Sequence, residues 1–322
     1  MTASILKPKI LSDMLNRSYD AILRARAFDW LSEQVLRQGD ILPRELLVKG
    51  FYHGDIRIPL IGPPGIFKPQ AFELPLSITT TPDSPYNDAF GKDGLLRYRY
   101  RGVDPKHRDN VGLREAMTNR LPLAYFHGIA VGKYVPTWPV FIVADHPDPF
   151  VPSFSVAVDD KSHLGIFGDD GEIRSSLGEE GAAARRAYIT STAKVRLHQR
   201  AFRERVLEAY RRQCAFCRLR HEELLDAAHI IPDSQPEGEP VIRNGVALCN
   251  LHHAAFDKLF IGLRPDYIIE VRADILKEGD GPTLRYAIQG LHGMKIQLPR
   301  RAEHHPDPAL LSQRYAQYRA GS

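Results

Sequence analysis

Cys214, Cys217, Cys249 and His252 stand as one Cys-x-x-Cys pair and one Cys-x-x-His pair. Each pair puts two soft ligands on a short turn, and two such pairs close a tetrahedral Cys3His site of the kind that holds structural Zn2+. The set uses all three cysteines of the chain, and an odd number cannot form a complete disulfide framework. The competing chemistry at Cys214 and Cys217 is a thioredoxin-like redox pair. No alternating strand–helix pattern surrounds it, and Cys249 and His252 supply the other half of a metal site.

A second set is interleaved with the first: Asp226, His229, Asn244, His253 and Asp257. His253 and Asp257 are four apart, so a helix over 250–258 places them on one face. An imidazole with a carboxylate suits Mg2+, Mn2+ or another divalent transition metal. His229 ends an apolar strand just before Pro232, where an imidazole beside a metal-polarised phosphate can take a proton from water. Asn244 opens the return strand, and its amide can pin the loop that carries His229.

The elements that must hold these residues can be read from the pattern. Residues 213–322 carry these motifs and end in a helix at Pro308–Arg319. A basic amphipathic helix over about 192–212 precedes the cysteines, with Val195, Phe202, Val206 and Tyr210 on its inner face. Residues 11–38 form another helix, capped by Ser12 and stopped by Gly39. Between them, 40–160 is punctuated by Gly and Pro. It holds β-rich runs at Leu76–Thr80, Leu95–Tyr100, Leu123–His127, Val140–Ala144 and Ser153–Asp159, with one helix near Val111–Arg120. A curved, mostly antiparallel sheet or barrel is the expectation. The resulting division is 1–40 N-terminal helix, 41–165 recognition domain, 166–190 linker and 191–322 catalytic domain.

Composition bounds the rest. With 322 residues, 43% hydrophobic and 25% charged, the chain matches ordinary globular proteins of about two domains. No run approaches the roughly 20 apolar residues of a membrane helix, and the N-terminus lacks a secretory layout, so a cytoplasmic protein without a membrane partner is expected. The net charge of +4 is modest, but eleven Lys/Arg fall between Arg185 and Arg220 against only Glu204 and Glu208, a local +9. Such a stripe is the footprint of a polyanion partner. Arg196, Arg200, Arg203, Arg211 and Arg212 are the candidates to meet a DNA backbone, a solvated helix face being the plainer reading.

The order Cys-x-x-Cys, Ala-His-Ile-x-Pro, then Asn-Gly-x-x-Leu-Cys-x-x-His-His-x-x-Phe-Asp, over about 211–260, resembles the HNH endonucleases of the ββα-metal fold. The resemblance implies that His229 is the general base, that Asn244 positions its loop, and that His253 and Asp257 hold the catalytic metal. It also implies phosphodiester cleavage to a 5′-phosphate and a 3′-hydroxyl. One departure is Ala228, where many such enzymes carry a metal-binding Asp or His. Asp226 lies on the same strand face and is the substitute ligand, or else a hairpin-edge residue that meets only backbone and solvent.

A weaker resemblance covers about 80–145. Pro85-Tyr86-Asn87-Asp88, Asp93-Gly94-Leu-Leu-Arg-Tyr98-Arg-Tyr100-Arg101-Gly102 and Asp109-Asn110 are similar to SRA domains, PUA-like barrels that flip a modified cytosine out of the duplex. A flipped base needs aromatic faces and a polar edge reader. Tyr86, Tyr98 and Tyr100 are the stacking candidates and Asp88 the acceptor, while Tyr98 and Tyr100 on one strand face are equally ordinary core residues. The combined expectation is α+β: an SRA/PUA-like β-barrel followed by a zinc-stabilised HNH nuclease. The chain would be a restriction enzyme acting on double-stranded DNA that carries 5-methyl- or 5-hydroxymethylcytosine, as a homodimer with 11–38 as a candidate interface. The alternatives are a sequence-specific HNH endonuclease reading unmodified DNA, a non-catalytic zinc-containing DNA-binding module, and a redox or signalling protein built on Cys214 and Cys217.

Overall fold

The computed structural model describes residues 8–81, 95–159, 179–279 and 281–321. The chain divides into two compact units, Met1–Leu197 and His198–Ser322.

The first unit opens with α1 (Pro8–Gln38). Leu23, Ala27, Phe28 and Leu31 recur at helical spacing and are buried, so this face packs inward. Gly39 ends the helix at φ +83° with its N–H on Val35 O, a left-handed position that favours glycine. The short elements β1 (Leu42–Pro43), α2 (Arg44–Lys49), β2 (Phe51–His53) and β3 (Ile56–Ile58) follow. The main sheet consists of β4 (Ile66–Phe67), β5 (Ser77–Thr80), β6 (Leu96–Arg99), β7 (Leu123–Ala130), β8 (Lys133–His146) and β9 (Ser153–Val158), with α3 (Arg108–Thr118) between β6 and β7. Its order is β4-β5-β7-β8-β9-β6, with β1 also paired to β8. All pairs are antiparallel except β5 with β7.

The path ends at β4 and β6, so among the described residues the sheet is a half-barrel where the sequence suggested closure. Pro63, Pro64 and Pro69 flank β4, and residues without an N–H cannot extend a ladder. Arg24 braces the sheet from α1. It is 1% exposed, and its Nη1 donates to the carbonyls of Pro75 and Pro122, just before β5 and β7, at 2.9 Å each.

A long helix, α4 (Glu179–Ala209), runs from the first unit into the second. Residues 179–190 of the expected linker are therefore helical. Phe202, Val206 and Tyr210 are buried as the periodicity indicates, whereas Val195 is half-exposed. In the second unit β10 (Leu225–His229) and β11 (Gly245–Cys249) pair antiparallel, from Leu225 opposite Cys249 to His229 opposite Gly245. The helix α5 (Asn250–Asp257) begins directly after β11. Then come β12 (Ile261–Leu263), β13 (Ile269–Val271), α6 (Ala273–Lys277) and α7 (Pro308–Ala320). One apolar core joins α4, the hairpin, α5 and α7 through Phe202, Val206, Ile230, Leu248, Phe256 and Leu311. No helix among the described residues is long and apolar enough to cross a membrane.

Candidate active site and metal centre

The cysteine cluster forms where a tight turn meets the end of the hairpin. Cys214 N–H donates to Leu219 O and Arg218 N–H to Cys214 O, both at 2.9 Å, closing a knuckle with Arg218 at φ +64°. Cys249 ends β11 and caps α5, which places His252 in the first turn of that helix. The Sγ atoms of Cys214, Cys217 and Cys249 and a ring nitrogen of His252 all lie within 4.8 Å of one another. His252 Nδ1 is 3.4 Å from Cys214 Sγ and 3.2 Å from Cys249 Sγ, and Cys217 Sγ is 4.0 Å from Cys249 Sγ. These are tetrahedron edges for one metal bound at about 2.0–2.3 Å.

His252 Nε2 is 2.7 Å from Ala287 O, a contact that places the proton on Nε2 and leaves Nδ1 free to ligate. Burial alone would lower the His252 pKa, but the contacts with Cys214, Cys249 and Ala287 outweigh it and raise it to about 10. Hydrogen bonds from Cys214 and Cys217 hold the Cys249 thiol far below its usual value. Three sulfur atoms and one imidazole nitrogen gathered this closely have the donor chemistry of a cation site.

The second set lies on the same hairpin and helix. His229, the last residue of β10, stacks on Phe202 of α4 with ring centroids 3.9 Å apart and planes at 16°. Its Nε2 is buried and has no hydrogen-bond partner among the described residues. Burial is the main reason its pKa falls below 6.5, with His253 adding to the effect and Asp233 and Asp226 opposing it. The ring is thus neutral near pH 7, as a proton acceptor must be.

Asn244 is fully buried. Its Oδ1 accepts from Ile231 N–H at 2.9 Å, and its Nδ2 donates to Ile231 O at 2.9 Å and Glu239 O at 3.0 Å. The side chain ties Ile231, two residues after His229, to the residue just before β11.

His253 and Asp257 share one face of α5, with His253 Nε2 3.3 Å from Asp257 Oδ2. Asp226 Oδ2 stands 3.3 Å from Nδ1, on the opposite nitrogen of the same ring. In this arrangement the two carboxylates bracket the His253 ring, one at each nitrogen. The hydrogen bond that the His253 ring donates to Asp226 raises the His253 pKa above 6.5 against the effect of burial.

The arginines divide differently from the sequence pattern. Arg203 Nη2 donates to Leu225 O at 2.7 Å and Glu222 O at 3.1 Å, and its Nε lies 3.5 Å from Asp226 Oδ1. Arg212 pairs with the buried Glu204 and with Glu222. Both guanidinium groups are thereby engaged inside the unit. Arg200 is partly buried, Arg211 is exposed, and the Arg196 side chain lies outside the described ones.

In the first unit Tyr98 and Tyr100 are 6% and 5% exposed. Tyr98 Oη donates to Thr79 O at 3.2 Å. The Tyr100 ring stacks on Phe154 at 4.6 Å and its hydroxyl bonds Asp145. The packing role of these rings therefore holds over the stacking role. Tyr86 and Asp88 lie outside the described residues.

Gly245 shows how closely the base is fitted. A Cβ there would lie 2.5 Å from Val206 Cγ2 and 2.8 Å from Phe202 Cζ. Gly245→Ala should displace the ring that supports His229, lowering stability by about 1–3 kcal/mol and slowing any reaction His229 serves. Urea unfolding and a cleavage assay on the same preparation measure both effects.

Residues 214–264 match the HNH endonuclease family (HNH_2), and this segment contains both residue sets. The chain thus carries an HNH endonuclease domain, a DNA-cleaving hydrolase. No curated protein matches the chain. It is similar to solved structures of two restriction endonucleases. One is the modification-dependent TagI enzyme, with 16% identity over 76% of this chain and 81% of that one and a TM-score of 0.28. The other is the Type IV phosphorothioation-dependent enzyme ScoMcrA, with 16% identity over 57% of this chain and a TM-score of 0.21. The chain spans 47% of the length of ScoMcrA.

Proposed function

We propose that this HNH-bearing chain is a metal-dependent DNA endonuclease in which His229 activates water and the first unit restricts cutting to modified cytosine. The observation that carries the hydrolytic reading is the convergence on one hairpin and helix of a neutral His229 held by Phe202, a loop clamped by Asn244, and the His253–Asp257 pair. With Nε2 buried, Nδ1 of His229 is the atom that takes the proton as the water oxygen attacks phosphorus. The bond to the 3′ oxygen then breaks, leaving a 5′-phosphate and a 3′-hydroxyl. His253 and Asp257 would hold Mg2+, Mn2+ or a similar divalent ion, whose chemistry is stabilisation of negative charge on the phosphate. Asp226 fixes the His253 ring. Zn2+ is the ion assigned to Cys214, Cys217, Cys249 and His252.

Base reading is assigned to the first unit because the SRA-like residue pattern falls there. Tyr86 and Asp88 remain its candidate stacking and edge-reading groups. Cutting both strands with one hydrolytic site per chain favours a homodimer on DNA. The exposed Arg211, with Arg196 and Arg200, is the backbone-contact candidate retained from the basic stripe.

The test is cleavage of matched plasmids containing cytosine, 5-methylcytosine or 5-hydroxymethylcytosine, with Mg2+ or Mn2+, by the wild type and by Tyr86→Ala. Cutting confined to a modified plasmid, and lost in Tyr86→Ala, is expected. Equal cutting of all three would leave a nuclease that reads unmodified DNA.

A further inference from the structure

Arg314 is a cation in an apolar setting that the hydrolytic set does not explain. It lies on α7, about 50 residues beyond the segment that matches the HNH family. The residue is 9% exposed, and its guanidinium lies over the Phe256 ring, 4.9 Å from the centroid. Nη2 donates to Phe256 O at 3.0 Å and stands 3.8 Å from Asp257 Oδ1. Nε is buried with no hydrogen-bond partner among the described residues. A buried guanidinium left partly unsatisfied is expensive, and a packed apolar side chain of similar volume is commonly at least as stable. A guanidinium supplies something here that a packed apolar side chain would not.

The geometry at Asp257 indicates what. Its two carboxylate oxygens are divided: Oδ1 faces Arg314 Nη2, while Oδ2 faces His253 Nε2. One guanidinium nitrogen reaches both the backbone carbonyl that precedes Asp257 and the carboxylate itself. We infer that Arg314 is a positioning residue for the hydrolytic metal, holding Asp257 so that Oδ2 is presented beside His253 Nε2. Through this contact α7 reaches the ββα unit and sets the metal affinity of the site. The inference rests on the assignment of His253 and Asp257 as the metal pair.

The test is direct Mn2+ binding to the full, zinc-loaded chain, followed by electron paramagnetic resonance of free Mn2+, with zinc content and thermal unfolding measured in parallel. The wild type should bind Mn2+ at a site that Asp257→Asn abolishes. Arg314→Met keeps an apolar stem against Phe256 and should weaken Mn2+ binding about 10- to 100-fold, the usual cost of losing a partner of a metal ligand. Its zinc content and melting temperature should be unchanged or better, because Asp257 is half-exposed and does not need the pairing. Arg314→Lys keeps the charge but not the fork and should fall between.

Wild-type Mn2+ affinity in Arg314→Met, or loss of melting temperature with affinity intact, would overturn the inference while leaving the metal pair standing. Should Arg314→Met fail to fold, Arg314→Lys decides by the same two readouts. Absence of any Asp257-dependent Mn2+ site in the wild type would instead overturn the metal assignment itself.

Discussion

His229→Ala should cut DNA about 10²- to 10⁴-fold more slowly than the wild type, the usual contribution of a positioned general base, while binding DNA as well as before. The base acts in the transition state, so its removal lowers kcat and kcat/KM together. The ring is also a packing element, stacked on Phe202, and the variant leaves a slot beside that ring. Added imidazole should enter the slot and restore part of the lost rate, a result that a purely structural defect would not give. The wild type should show a matching pH profile at saturating metal. Burial lowers the His229 pKa below 6.5, so the base is deprotonated from that lower value upward. The rate should therefore rise with pH through a midpoint below pH 6.5 and then level off. Single-turnover kinetics with gel-shift binding separate the two effects, and near-normal cleavage by His229→Ala would remove the residue from its role.

Cys249→Ser should abolish zinc binding and unfold the second unit. Structural zinc in small domains contributes about 10–16 kcal/mol in binding, whereas whole domains are stable by about 5–15 kcal/mol. Losing one of four ligands from such a site is therefore comparable to the whole stability of the unit. Cys249 is also the hinge between β11 and α5, and the same short helix carries His253 and Asp257. Metal analysis and hydrogen exchange over 198–322 measure the result. A Cys249→Ser protein with native exchange protection there would show that the cluster is dispensable.

Part of this site was legible because its geometry is local. Two residues three or four apart on a turn or a short helix have one possible relative placement, so the Cys-x-x-Cys, Cys-x-x-His and His253–Asp257 pairs could be read directly. The Asn244 clamp could also be anticipated, since an amide at the start of the return strand lies across from the loop it pins. What depended on distant chain was not legible. Arg203 and Arg212 looked like phosphate contacts until the carbonyl of Leu225 and the carboxylates of Glu204 and Glu222 were brought beside them. Arg314 gave no signal, because its partners at 256 and 257 are reached only through the packing of α7 on the second unit. In the first unit β8 extends back to Lys133, seven residues before its apolar run, through Pro136 and Pro139, residues that ordinarily argue against a strand. The alternation that suggested a stacking pair at Tyr98 and Tyr100 is the alternation of any half-buried strand, and the buried face claimed both.

His252 and His253 are neighbours in one turn, yet they face different centres: His252 meets the cysteines, and His253 meets Asp226 and Asp257. A one-residue insertion or deletion between Cys249 and Asp257 would turn the following side chains by about 100°, so the two imidazoles and Asp257 could no longer all meet their partners. The loop at 233–238, whose ends are tied by Asn244, carries no such phase. Natural variation in length should therefore accumulate in that loop and be absent from the eight-residue helix, which behaves as a two-lobed cam with a single working angle.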